Sequence, residues 1–139
     1  MNRVYFSMNI HISIKLRFTL ENEELEQLRT EWAKLQGVLT SVLGKTPGDL
    51  NSILFLIGVQ ELGKGPIPFS KEEKQDLIHI ATCKVLSFSG YYSLEGEDKD
   101  GWPHWKLEKK IPSMELLAQE QLMKWHILEY FKQETDLLD

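Results

Sequence analysis

Thr46-Pro47-Gly48-Asp49-Leu50-Asn51-Ser52-Ile53-Leu54-Phe55-Leu56-Ile57-Gly58-Val59-Gln60-Glu61-Leu62-Gly63-Lys64-Gly65-Pro66 is the stretch on which the reading of this chain turns. Its middle, residues 53–59, holds no charged side chain. Apolar residues fall on every side of it whichever period is assumed, so the segment has to be surrounded. Taken alone, 53–59 suits a buried strand as well as a helix. The ends decide for a helix: Thr46 as N-cap acceptor, Pro47 and Asp49 in the first turn, and Leu62-Gly63-Lys64-Gly65-Pro66 as a stop.

The flanking segments are amphipathic and supply the wrapping. A helix is expected over 22–43, with Asn22 as cap and Glu23 and Glu24 in its first turn. Leu25, Leu28, Trp32, Leu35, Leu39 and Val42 follow a strict three-four spacing. That seam suits core packing better than a free coiled coil, for which three heptads are short. Gly37 inside it costs about 1 kcal/mol relative to alanine, so the helix needs tertiary support. Ser70 with Glu73 forms a capping box that opens a helix reaching Phe88. Leu77, Ala81, Val85 and Phe88 make its core face, with His79, Cys83 and Leu86 on the far side. Two short strands, 89–94 and 102–107, flank the polar turn 95–101, and Pro103 confines the second to an edge. A last helix over 112–132 carries two apolar stripes, Met114, Leu117, Trp125 and Leu128 against Leu116, Met123, Ile127 and Tyr130. One stripe covers the core; the other needs a further element or another molecule.

Over 8–20 apolar residues alternate without a break from Met8 to Leu20, the period of a half-buried strand. Such a strand needs a mate, and the hairpin is the obvious one. The alternative is an upstream extension. The acidic end, 134–139, is expected to fray. The expected fold is mainly α (α+β): about four helices around a buried central helix, with a small antiparallel β element from the N-terminal strand and the hairpin. One domain spans 1–139, with 21–133 as helical core and the hairpin at 90–109.

The 139 residues carry 21 acidic and 16 basic side chains, a net charge of −5, which argues against nucleic acid as a partner. No apolar run is long enough for a membrane span, and Asn9, His11, Ser13, Lys15 and Arg17 interrupt any signal-peptide core. Cys83 is the one cysteine, which rules out an internal disulfide and fits a reducing, cytoplasmic setting.

Phe55-Leu56-Ile57-Gly58-Val59-Gln60-Glu61-Leu62-Gly63-Lys64-Gly65-Pro66, Ile78-His79-Ile80-Ala81 with Cys83, and Asp100-Gly101-Trp102-Pro103-His104-Trp105 resemble a group of small uncharacterised bacterial proteins with no assigned activity. The resemblance covers about two-thirds of the chain, from the first helix onward, and leaves out 8–20. It implies a shared fold and transfers no catalytic residue.

Candidate chemistry is sparse. His79 and Cys83 stand four apart on one helix face, the spacing of two ligands to one metal, and His104 and Glu61 would complete a set of four. No closed metal motif accompanies them, and free cysteine mostly behaves as a small apolar residue. The same pair as nucleophile and base lacks the helix N-terminus that would favour a thiolate. The acids before Gly101 fail as a calcium loop, because Gly96 and Leu107 fall where the first carboxylate and the bidentate glutamate belong. Gly63-Lys64-Gly65 fails as a phosphate loop. Glu61, if buried without a base, becomes a candidate general acid or base; at the rim it is an ordinary last-turn residue. Tyr91, Tyr92, Trp102, His104 and Trp105 beside an acidic turn have the composition of a binding surface, or of a cap on the open end of the core.

The function these features favour is a small cytoplasmic, non-catalytic interaction or self-association domain, with a homodimer or a protein partner. The alternative is a small-molecule or metal site, catalytic or not, near Glu61, His79, Cys83 and His104. No cofactor is expected.

Overall fold

The computed structural model describes the backbone of residues 2–138 and the side chains of residues 21–138. Among the described residues the order is α1 (Asn2–Leu43), α2 (Leu50–Leu62), α3 (Lys71–Ser87), β1 (Tyr92–Glu97), β2 (Pro103–Leu107) and α4 (Leu116–Glu134). The fold is mainly α, with a two-stranded antiparallel sheet.

Local chemistry sets most of the boundaries. α2 opens on Asp49, whose Oδ1 accepts from the Ser52 backbone N–H at 2.8 Å, and closes on Gly63 in the left-handed region (φ 72°). The cap is therefore Asp49 rather than Thr46, whose hydroxyl instead meets that of Thr40 at 3.0 Å. A carboxylate is the stronger acceptor for a helix N-terminus. α3 opens on the full capping box: Glu73 N–H donates to Ser70 Oγ at 3.1 Å, and Ser70 N–H to Glu73 Oε1 at 2.9 Å.

The strand expected over 8–20 is not formed. That backbone continues α1, Asn22 lies inside the helix instead of capping it, and the sheet consists of β1 and β2 alone. No glycine or proline interrupts the chain before Gly37, and a helix closes its backbone hydrogen bonds without a partner, whereas an isolated strand cannot.

The main core collects Leu28, Trp32, Leu35 and Leu39 of α1, Ile53, Leu54 and Ile57 of α2, Ala81, Val85 and Leu86 of α3, and Ile127, Leu128, Tyr130 and Phe131 of α4. The α1 seam works as expected from Leu28 to Leu39 and then runs out, Val42 being 62% exposed. α2 is central but not enveloped, since Phe55, Leu56 and Val59 are only half-buried. Each fully buried leucine or isoleucine here contributes on the order of 1.5–3 kcal/mol.

Two further expectations change. The second stripe of α4 is not spare: Ile127 and Tyr130 are buried together with Leu128, and what stays open is the first turn, Leu116 at 80% and Leu117 at 64% exposed. The acidic tail does not fray within the described residues. Leu138 is 8% exposed inside the main core, Leu137 packs beside it, and the Leu137 N–H donates to Thr135 Oγ1 at 3.2 Å. Two leucines among the tail's acids provide enough apolar surface to hold it down.

α2 and α3 pack backbone to backbone at Gly58. A Cβ there would stand 2.3 Å from the Leu77 carbonyl oxygen and 2.9 Å from Leu77 Cβ. Gly37, by contrast, faces open space. Chemical denaturation should separate the two glycines. Gly58→Ala is expected to destabilise by about 1–3 kcal/mol or more, because Leu77 can yield only by moving a helix. Gly37→Ala is expected to stabilise by up to about 1 kcal/mol.

Candidate functional site

The capping box starts α3 so that Glu73, Asp76, His79 and Ile80, spaced by three and four, rise along one helix face. The hairpin folds back over that face. β1 and β2 pair from Tyr92↔Leu107 to Glu97↔Pro103, with a bulge between Leu94 and Gly96. Asp98 organises the tip: its Oδ1 accepts the backbone N–H groups of Asp100 at 2.9 Å and Trp102 at 3.0 Å. Its Oδ2 faces His104 Nε2 at 3.0 Å. These donors, His104 first, hold the Asp98 carboxyl below its ordinary pKa, so it stays ionised as acceptor. The turn read as merely solvated is thus a built one, by the Asx chemistry that favours aspartate there. From the end of α2, the Lys64 ammonium donates to the Asp100 carbonyl.

Between α3 and this tip lies an open cleft of about 500 Å³. His79, His104, Trp102 and Trp105 line it, with the carboxylates of Glu73, Asp76, Asp98 and Asp100. Trp102 also packs on Leu62, Leu77 and Ile80, which fixes one indole to the cleft's floor. Trp105 Nε1 is buried with no acceptor among the described residues. The cleft is acidic and aromatic-walled.

Of the residues singled out from the sequence, Trp102, His104, Trp105 and His79 come together here. Tyr91 and Tyr92 do not: both are half-buried against the main core, and Lys109 Nζ sits 4.7 Å from the centre of the Tyr91 ring. Glu61 lies elsewhere, at the end of α2, where Tyr130 Oη donates to its Oε2 at 3.0 Å and Lys84 Nζ is 3.6 Å from Oε1. Lys84 also reaches Glu134 at 3.1 Å. Burial, then the neighbouring Glu61 charge, raises the Tyr130 pKa, so the phenol remains a donor. Glu61 is therefore a half-buried, base-paired structural link between α2, α3 and α4.

The proposed ligand set of Glu61, His79, Cys83 and His104 does not assemble. Cys83 Sγ and His79 Nε2 are 3.6 Å apart, but His104 is taken by Asp98 and Glu61 by Lys84 and Tyr130. Among the described residues no three His, Cys, Asp or Glu side chains are grouped to hold a metal ion. On the far side of α3 Cys83 is buried where the hairpin packs against the helix, and Leu86 is buried as part of the main core. Burial pushes the Cys83 thiol up to about 11, the opposite of what a nucleophile needs. The acids Glu73, Asp76, Asp98 and Asp100 were missed as residues of this cleft. The three-spaced acids on α3 were the available signal for the first two.

Comparison with protein families, with characterised proteins and with solved structures returns no match for this chain. No helix among the described residues is long and apolar enough to cross a membrane.

Two outcomes check this geometry. Alkylation of Cys83 by iodoacetamide at pH 8 should run at least about a hundredfold slower in the folded chain than in denaturant, as expected for a buried thiol with little thiolate. Tyr130→Phe should lower stability by about 1.5–3 kcal/mol in urea titration, the range for a hydrogen bond to a charged group.

Proposed function

We propose that the protein is an interaction domain whose α3–hairpin cleft takes a basic side chain of a protein partner. The observation that carries this reading is the joint presence of two indoles and four carboxylates around one open cavity. Indole faces attract guanidinium and ammonium groups, and carboxylates pair with them, arginine bidentately. Asp76 and Asp100 are exposed, and the Asp98 anion is already bound within the tip, so the first two are the carboxylates facing a ligand. Self-association has less behind it: Ile127 and Tyr130 of the second α4 stripe are occupied internally, leaving Leu116 and Leu117 of the first turn exposed.

Calorimetric titration with a blocked tri-arginine peptide, and a blocked tri-glutamate peptide as control, tests the reading. Tri-arginine is expected to bind, with an affinity that weakens as salt is raised. The double variant Asp76→Asn, Asp100→Asn is expected to lose about tenfold in affinity, or about 1.4 kcal/mol. Equal binding of both peptides, or no effect of the double variant, would overturn the proposal.

A further inference from the structure

A second group of polar side chains lies away from the cleft, where the C-terminal end of α3 meets α4. His126 is buried on α4, and its Nδ1 lies 2.7 Å from the carbonyl oxygen of Leu122, one turn earlier. A carbonyl can only accept, so Nδ1 carries the proton and the neutral ring presents an unprotonated Nε2. The Ser89 hydroxyl is 2.7 Å from that Nε2 and donates to it. Ser89 is exposed although its partner is buried, and the pair opens onto a cavity of about 340 Å³ lined by Phe88, Trp125, Glu129 and Gln133 as well. Gly90, at φ 79°, lets the chain reverse directly after Ser89 and so holds the hydroxyl over α4.

We propose that Ser89 is a nucleophile, with His126 as its general base, and that it takes an acyl group from an activated ester. A hydroxyl within hydrogen-bond reach of a base whose ring is oriented by a third group is the arrangement that activates serine. In the step, Ser89 Oγ attacks the carbonyl carbon and its proton passes to His126 Nε2. The Oγ–C bond forms, the ester C–O bond breaks, and the alkoxide or aryloxide leaves with that bond's electron pair. The imidazolium then returns its proton to the leaving group or to solvent. Glu129 is the other ionisable group lining the cavity.

The backbone sets a limit on this chemistry. The N–H groups of Ser89, Gly90 and Tyr91 all donate back into α3, at 3.2, 2.9 and 3.3 Å, so none of them is turned towards an oxyanion. Without such donors a tetrahedral intermediate gains little stabilisation, and the bond most easily made is to an ester with a good leaving group. The expected behaviour is a single acylation per chain with slow release, rather than turnover.

The test is mass-spectrometric peptide mapping of the full chain after reaction with p-nitrophenyl acetate, in quenched samples across a pH series. One acetyl group is expected on Ser89, formed more slowly in acid as the imidazole takes up a proton. His126→Gln should slow it at least about a hundredfold, the low end of a general base's contribution, and Ser89→Ala should remove it. Acetylation confined to lysines would overturn the proposal. So would a Ser89 label whose rate ignores both acid and His126→Gln, since a hydroxyl that merely fills the hydrogen bond of a buried imidazole behaves in that way. Should circular dichroism find His126→Gln unfolded, the pH dependence of Ser89 labelling in the unaltered chain decides between the two.

Discussion

The contact between Gly58 and the Leu77 carbonyl is the constraint from which the rest follows. Two helices can approach with backbone against backbone only where one of them lacks a Cβ, and at Gly58 that space is already filled by Leu77. The close crossing places α3 against α2 along one face and leaves its other faces for α4 and the hairpin. Leu62, Leu77 and Ile80 then form a small apolar cluster of their own, and Trp102 rests on it. The cleft stands on that seat. A wider crossing would lift α3 away from α2 and loosen the support beneath the indole.

Polar side chains divide the remaining work according to burial. Inside, Tyr130, Glu61, Lys84 and Glu134 link the C-terminal end of α2 to α3 and α4, each partner satisfying another, as half-buried charges require. At the hairpin tip, Asp98 gathers backbone donors and His104 in an exposed setting, where its value lies in shape more than in energy. The first network is closed on itself. The second leaves Asp76 and Asp100 exposed beside the cleft, which is why the cleft, and not the Glu61 network, is the site proposed for a ligand.

Features that depend on neighbours in the chain were legible. The Ser70–Glu73 box, the Gly63 stop, the hairpin around its acidic turn and the Leu28–Leu39 seam all rest on interactions within a few residues, so spacing alone reveals them. Alternation over 8–20 misled because period two describes side chains and is silent about where a strand's hydrogen bonds would go. The cap moved from Thr46 to Asp49 for a similar reason: two acceptors stand within three residues, and only the finished helix selects between them. Leu137 and Leu138 were hidden by the acids around them. His126 and Ser89, 37 residues apart, carried no local mark at all.

From its sequence alone this chain determined that residues 53–59 belong to a central helix, that amphipathic helices pack against it, and that a hairpin precedes the last of them. Hydrophobic periodicity and capping are written residue by residue, and they suffice for that much. Which faces meet was decided only in three dimensions. Cys83 left the surface because the hairpin covers it, the aromatic group split into a core pair and a cleft pair, and Glu61 found Lys84 and Tyr130 instead of His79. Each outcome depends on the position of residues far away in the chain, and a helix's period says where a side chain points without saying what it will touch.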